Sequence, residues 1–271
     1  MNIAVVFPGQ GSQNKDMADS FSDANSFNDI IDQGSEILNY DVREAIKNEQ
    51  KINDTIYTQP LMLTISYAMW DTLIKKTSIK ANVGAGHSLG EYTALVANNT
   101  ISFRDALRLV KKRAEFMSSA MVDVDGAMAA VIGLDGNRVR DICKEASKDG
   151  AIIEAVNFNC PGQTVIAGHT NAIEDITAVL KNSGAKIVKK LPVSLAAHTS
   201  LLKSVSNDLR SELRGINFNL DNSFDVIHNY DLSVSKNEEK FIDCLSMQVC
   251  SPVRWIETMQ TFKSNDVSDV I

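Results

Sequence analysis

A serine lies between two glycines at residues 86–90, which read GHSLG. This spacing matches G-x-S-x-G, the pattern of a nucleophilic serine on a tight turn between a strand and a helix. Side chains at Gly86 or Gly90 would crowd the neighbouring strand and helix, so the tight turn requires glycine at both positions. The flanking residues fit, because 79–83 predict a short strand and 91–97 predict a helix. A serine in an ordinary glycine loop is the alternative interpretation, so the motif alone leaves the chemistry open.

A serine nucleophile needs a base within hydrogen-bond reach, and the chain contains four histidines. His87 would point away from Ser88 across the turn. His169 lies in the region 124–193, which is predicted below to form a separate small domain. We take His198 as the first candidate because it follows an apolar run downstream of the serine, the order found in α/β-hydrolase-like enzymes. His228, at the end of a short predicted strand, is the second candidate. A purely structural imidazole is the alternative for each.

A cationic side chain, Arg113, lies at the edge of an apolar helical stripe. The helix is predicted over 103–117 and begins with a capping box formed by Ser102 and Asp105. At such an edge, an arginine usually rests its alkyl stem on apolar surface and keeps its guanidinium in water. From the helix pattern alone, this is the favoured interpretation of Arg113.

The order of predicted elements indicates an α/β fold with two domains. Residues 3–7 predict a buried strand, 20–48 a helical segment, and a helix opens at 58–60 with Pro60 near its first position. From Gly126 the pattern becomes β-α-β-β-α-β, which is the ferredoxin-like unit. We therefore predict a ferredoxin-like small domain over 124–193, inserted into a larger α/β domain formed by 1–123 and 194–271.

Composition excludes several classes of protein. The chain has 271 residues, of which 44% are hydrophobic and 23% charged, as in ordinary globular proteins. A formal charge of −7 without a basic run argues against nucleic-acid binding. The four cysteines lack zinc-ligand spacing, so we predict reduced thiols and no metal. We expect a cytoplasmic protein, because no signal peptide or membrane-spanning run is recognisable.

Four segments together carry a resemblance to a known family. They are residues 7–13 (FPGQGSQ), 86–92 (GHSLGEY), 156–163 (VNFNCPGQ) and 192–194 (PVS) leading to His198. In this order, and over nearly the whole chain, they resemble the malonyl-CoA:acyl carrier protein transacylases. The resemblance implies a hydrolase-like large domain with a parallel sheet plus an inserted ferredoxin-like small domain. It also implies ping-pong transfer of a malonyl group in fatty-acid biosynthesis.

The resemblance assigns expected roles to single residues. It implies that Ser88 is the nucleophile, that His198 is its base, and that Arg113 holds the malonyl carboxylate, in place of the surface role above. The main-chain N–H groups of Gln10 and Leu89 would form the oxyanion hole, and the Gln248 carbonyl would orient His198. The expected substrates are malonyl-CoA and phosphopantetheinylated acyl carrier protein, which is also the expected partner. Neither a cofactor nor a membrane is implied.

Some features depart from the family pattern. Residues 196–199 (AAHT) differ from those that the family usually has around the histidine, and Leu202 stands where a methionine is common. Both departures leave the strictness of malonyl selection open. Family members continue beyond the position of Ile271, so we expect an incomplete strand at 267–271 and low thermal stability. Three alternatives stay open: a serine thioesterase or esterase that uses water, a polyketide-type acyltransferase with other acyl selectivity, and a non-catalytic module that binds carrier protein.

Overall fold

The computed structural model describes residues 2–148, 150–193 and 195–271. In these ranges the helices and strands follow one another as β1 (Ile3–Phe7), α1 (Asn25–Leu38), α2 (Val42–Lys47), α3 (Glu49–Asn53), α4 (Thr55–Lys76), β2 (Val83–Gly86), α5 (Gly90–Ala97), α6 (Phe103–Ser119), β3 (Gly126–Ile132), α7 (Gly136–Ala146), β4 (Ile153–Cys160), β5 (Gln163–His169), α8 (Thr170–Asn182), β6 (Ile187–Lys190), α9 (Lys203–Leu213), β7 (Asp225–Ile227), α10 (Glu238–Gln248), α11 (Trp255–Ser264) and β8 (Asp269–Val270). None of the helices described is both long enough and apolar enough to cross a bilayer.

Strands β7, β2, β1 and β8, in this order, form a parallel sheet within the described ranges. Strand β2 is buried along its whole length, as expected for a parallel strand with both faces covered. On one face a small apolar cluster joins Ala4, Val83 and Ile227 to Phe262 of α11. The other face belongs to the main core, to which α4, α5 and α6 contribute.

The parallel sheet brings three chain segments to one edge. Strands β1, β2 and β7 all end there, and they are followed by residues 8–13, by 87–89 and by 228–229 respectively. Parallel strands present their carboxyl ends on the same side, where loops can combine into one site. The serine motif and one of the two candidate histidines therefore lie at the same edge of the sheet.

A second, antiparallel sheet in the described chain has the order β4-β5-β3-β6. Helices α7 and α8 pack against it around a separate apolar core. The order β3-α7-β4-β5-α8-β6 is the ferredoxin-like arrangement, so the predicted fold class is confirmed. The boundaries at 123/124 and 193/194 stay a prediction, and Ser194 itself lies outside the described residues.

Of the predicted elements that differ in their bounds, three have a clear physical cause. The helical segment 20–48 breaks at Asn39, which has the positive φ of 59° typical of a helix end, and Asp41 caps the next helix. Helix α4 begins at Thr55, before the predicted opening at 58–60, because the Asp54 side chain accepts from the Ile56 N–H. Strand β2 begins only at Val83, since its register is set by pairing with Ala4 of β1.

Candidate active site

Ser88 lies on a strained turn between β2 and α5. Its φ is 52°, in the left-handed region that non-glycine residues rarely adopt and that is common at functional sites. A Cβ at Gly86 would lie 1.8 Å from the main-chain carbon of Gly90, and one at Gly90 would lie 2.2 Å from the Phe7 carbonyl oxygen. The expectation that side chains at both glycines would collide with the helix and the strand is therefore confirmed.

His198, the first candidate for a base, contacts the serine directly. Its Nε2 atom lies 2.8 Å from the Ser88 Oγ, and its Nδ1 lies 2.8 Å from the main-chain oxygen of Gln248. Because a carbonyl oxygen only accepts, Nδ1 carries the proton and Nε2 is left to accept from the serine hydroxyl. The φ of His198 is 66°, so the imidazole, like the serine, is held by a left-handed backbone.

The environment of His198 keeps its imidazole neutral. The side chain is buried, and burial is the main reason why its pKa falls from 6.5 to about 3. The positive charge of Arg113 lowers the pKa further, while the hydrogen bond to Gln248 acts in the opposite direction. A neutral imidazole with its lone pair toward a hydroxyl is the form required of a general base.

Arg113 is buried next to the serine, with an exposed fraction of only 1%. Its guanidinium donates to the Gln59 Oε1 at 2.6 Å, to the Gln248 Oε1 at 3.0 Å and to the Ser88 Oγ at 3.2 Å. All of these acceptors are neutral, and the guanidinium also lies over the Tyr92 ring at 5.6 Å. Burial lowers the pKa of Arg113, but a guanidinium remains charged in proteins. The surface interpretation of this arginine is wrong.

A cavity of about 310 Å³ opens in front of these groups. Ser88, His198 and Arg113 line it, together with Gln10 and Leu89. In the described part of the chain, the main-chain N–H groups of Gln10 and Leu89 donate to no protein acceptor. Residues from the predicted small domain, among them Met128 and Leu191, complete the wall, whereas Leu202 does not line the cavity.

Sequence reasoning missed a set of buried polar contacts behind the serine. Ser88 N–H donates to the Asn229 Oδ1 at 2.7 Å, and the Asn229 Nδ2 donates to the Gly86 carbonyl at 2.7 Å. Asn229 thereby ties the nucleophile turn to the end of β7. The available signal was its position directly after a short apolar strand, next to the candidate His228.

Glu91 and Gln59 were also missed as parts of the site. Glu91 is fully buried at 0% exposure, although a carboxylate in the first turn of a helix is favoured there without any burial. Gln59 is 1% exposed on α4 and contacts the Arg113 guanidinium. Each is a long polar side chain close to an apolar run, 61–63 for Gln59 and 94–97 for Glu91, and this was the signal that could have revealed them.

The remaining histidines do not reach the serine. His228, the second candidate, places its Nδ1 2.7 Å from the Glu91 Oε1 and is fully buried. His87 points to Asn159, with 2.9 Å between its Nε2 and the Asn159 Oδ1. Burial also lowers the pKa of His87.

Comparison with known proteins agrees with this arrangement. The family model described as "Acyl transferase domain" matches residues 4–267. The malonyl CoA-acyl carrier protein transacylase of Escherichia coli is 39% identical over 98% of this chain and 86% of its own length. The chain belongs to this family of transacylases, and it is therefore an acyltransferase. The Haemophilus influenzae relative is 38% identical over the same shares of both chains.

Solved structures of the family have the same fold. An acyl-carrier-protein S-malonyltransferase from Burkholderia pseudomallei superposes with a TM-score of 0.95 at 42% identity, covering 100% of this chain and 88% of its own. A malonyl-transacylase in complex with its type II PKS acyl-carrier protein gives a TM-score of 0.94 at 36% identity, with 100% and 88% covered. The resemblance deduced from the four sequence segments is thus confirmed.

Proposed function

We propose that this acyltransferase moves the malonyl group of malonyl-CoA to the phosphopantetheine thiol of acyl carrier protein, in fatty-acid biosynthesis. The proposal is supported by the names of the relatives, each a malonyl CoA-acyl carrier protein transacylase or malonyltransferase. It is also supported by a relative solved with its acyl-carrier protein bound. A cytoplasmic location, and the absence of a cofactor, remain predictions from the sequence.

The observation that carries the choice of acyl group is the buried cation. Arg113 is 1% exposed, has only neutral hydrogen-bond acceptors in the described ranges, and lines the cavity beside Ser88. A buried charge is costly unless it is paired. The free carboxylate of a malonyl group would supply that pair, and the planar guanidinium suits two parallel hydrogen bonds to it. Acetyl has no such carboxylate.

In the proposed first half-reaction, the Ser88 Oγ attacks the thioester carbonyl of malonyl-CoA while the His198 Nε2 accepts the hydroxyl proton. The tetrahedral intermediate collapses with cleavage of the C–S bond, and the CoA sulfur leaves with the proton from His198. A malonyl ester on Ser88 and free CoA thiol are the products. The distance of 2.8 Å between the Ser88 Oγ and the His198 Nε2 suits the proton transfer.

In the proposed second half-reaction, His198 takes the proton of the phosphopantetheine thiol and the sulfur attacks the ester carbonyl. The C–O bond to Ser88 breaks, and His198 returns the proton to the serine oxygen. Ser88 and His198 therefore serve both half-reactions of a ping-pong cycle. The Gln248 carbonyl keeps the imidazole in the required tautomer throughout.

We further propose that Gln10 and Leu89 stabilise the oxyanion in both steps. Their main-chain N–H groups have no protein acceptor in the described chain, and both residues line the cavity. Donors that are already in place when charge develops are typically worth roughly 3 kcal/mol each in sites of this kind.

The competing function is hydrolysis, in which water replaces the carrier thiol. The two functions share the serine, the histidine and the oxyanion donors. The decisive experiment is transfer of radiolabelled malonyl from malonyl-CoA to phosphopantetheinylated carrier protein, with free malonate measured in parallel. Labelled carrier protein in large excess over free malonate supports the proposal. Release of malonate at the same rate with and without carrier protein would identify a thioesterase instead.

A further inference from the structure

The side-chain amide of Gln248 lies between a buried carboxylate and the buried guanidinium. Its Nε2 donates to the Glu91 Oε2 at 2.6 Å and to the Ser88 carbonyl oxygen at 2.9 Å. Its Oε1 accepts from the Arg113 guanidinium at 3.0 Å. The side chain of Gln248 thus links Glu91 to Arg113. Its main-chain oxygen separately contacts His198.

These contacts fix which way the amide points. A carboxylate and a carbonyl oxygen only accept hydrogen bonds, so the amide nitrogen must face Glu91 and Ser88. The amide oxygen is then left on the side of Arg113, where a guanidinium only donates. The opposite orientation would set two donors against each other at Arg113 and two acceptors against each other at Glu91. Glu91, together with the Ser88 carbonyl, therefore keeps the amide oxygen of Gln248 turned toward Arg113.

Glu91 is itself held in place on every side. Its Oε1 accepts from the His228 Nδ1 at 2.7 Å, and its Oε2 accepts from the Asn229 N–H at 3.1 Å as well as from Gln248. Both Glu91 and His228 are 0% exposed. A carboxylate that accepts several hydrogen bonds in a dry environment has little freedom to move.

We propose that Glu91 is a positioning residue for acyl-group selection, which acts through the Gln248 amide to hold the Arg113 guanidinium toward the cavity. This inference rests on the proposed function, since it concerns the residue that would bind the malonyl carboxylate. Glu91 does not line the cavity and makes no contact with the reacting atoms. Loss of its carboxylate leaves the Ser88 carbonyl as the remaining acceptor for the Gln248 amide nitrogen in the described chain, so the amide holds the Arg113 guanidinium less firmly, while Gln59 stays as the second amide acceptor.

The test compares kcat/KM for malonyl-CoA and acetyl-CoA in serine acylation. Glu91→Leu removes the acceptor, and Gln248→Met removes the amide but keeps the main-chain carbonyl that contacts His198. Each substitution is expected to lower the malonyl-to-acetyl ratio by roughly tenfold or more, the worth of one hydrogen bond to a charged group. The double variant should lower the ratio no further than the single ones, because both residues act through one chain of contacts.

Two further variants separate the effect of the Gln248 amide orientation from that of the Glu91 charge and from a general loss of structure. In Glu91→Gln the new amide oxygen can replace Oε2, and the new amide nitrogen can donate to the His228 Nδ1 once the imidazole proton lies on the His228 Nε2, which has no protein partner in the described chain. This conservative variant should therefore keep the ratio within about threefold of wild type, a difference smaller than one hydrogen bond to a charged group. The exposed Glu212 on α9 provides the matched control, and Glu212→Gln should leave both rates unchanged.

The outcomes distinguish this inference from the proposed function. If wild type shows no preference for malonyl over acetyl, the proposed function fails before any variant is examined. If wild type is selective but Gln248→Met lowers kcat/KM for malonyl-CoA and for acetyl-CoA by the same factor, the positioning role is overturned. Equal losses of selectivity in Glu91→Gln and Glu91→Leu would also overturn it. Should Glu91→Leu not fold, Gln248→Met and Glu91→Gln still decide the question.

Discussion

His198 donates from its Nδ1 to the main-chain oxygen of Gln248 across 2.8 Å. The group that orients the base is therefore part of the backbone, and no substitution of a side chain can delete it. The same residue uses its side chain for a separate task, since its amide contacts Arg113. One position thus supports both the base and the cation that faces the cavity.

Incubation with malonyl-CoA alone should leave a malonyl ester on Ser88. The acyl-enzyme forms before the second substrate binds in a ping-pong reaction, so it accumulates when the carrier protein is omitted. Mass spectrometry of the intact protein and of its peptides would show the adduct, and Ser88→Ala is the control. An adduct that persists in this variant, or one found on a cysteine, would contradict the mechanism.

His198→Ala should slow the acylation of Ser88 by roughly 10²–10⁴-fold, the usual contribution of a positioned general base. His228→Ala should have a much milder effect, because His228 contacts Glu91 and not the serine. Single-turnover acylation rates in the two variants provide the comparison. Equal losses would mean that the choice of His198 as the base is wrong.

Arg113→Ala should lower malonyl transfer steeply while acetyl transfer stays level or rises. A charge-assisted pair is worth about 1.5–3 kcal/mol, and a carboxylate left unpaired in a buried site raises the loss to about 3–5 kcal/mol. Acetyl incurs neither penalty. The quantity to measure is the ratio of kcat/KM for the two CoA esters. An unchanged ratio would remove the main physical support for malonyl as the substrate.

The pH dependence of acylation should also report on Arg113. Protonated His198 is inactive as a base, and its lowered pKa means that kcat/KM for acetyl-CoA should fall only well below pH 6.5. Arg113→Ala removes a positive charge that lowers this pKa, so the acid limb should move to higher pH. Circular dichroism at each pH would separate titration from unfolding. Identical acid limbs in wild type and variant would rule out coupling between the two side chains.

Gly90→Ala should destabilise the protein by about 3 kcal/mol, the upper end of the usual cost of overpacking, or prevent folding, because close-packed backbone cannot absorb the added atom. Its Cβ would lie 2.2 Å from the Phe7 carbonyl oxygen. Urea denaturation measures the change, and Gly215→Ala is the control, since its Cβ would lie 3.3 Å from the nearest heavy atom. Similar stabilities of the two variants would show that the turn is not tightly packed.

Local pattern was enough to predict the motif turn, the two-domain fold class and His198 as the first candidate for a base. The glycines around Ser88 and the strand and helix periods depend on neighbouring residues, and such features are visible in one dimension. The family resemblance that the four segments carry then added the expected roles of Arg113, Gln10, Leu89 and Gln248. The bounds of single elements were predicted less accurately, since the start of β2 depends on its pairing with β1.

Only the tertiary structure decided how the polar side chains behind the serine are connected. Arg113 looked like a surface arginine from its helix pattern, because periodicity locates a residue on a helix but not what packs against it. Glu91, Asn229 and Gln248 lie far apart in sequence and meet only when α5, β7 and α10 pack together. Their hydrogen bonds depend on distances between elements, and a sequence pattern contains no such distances.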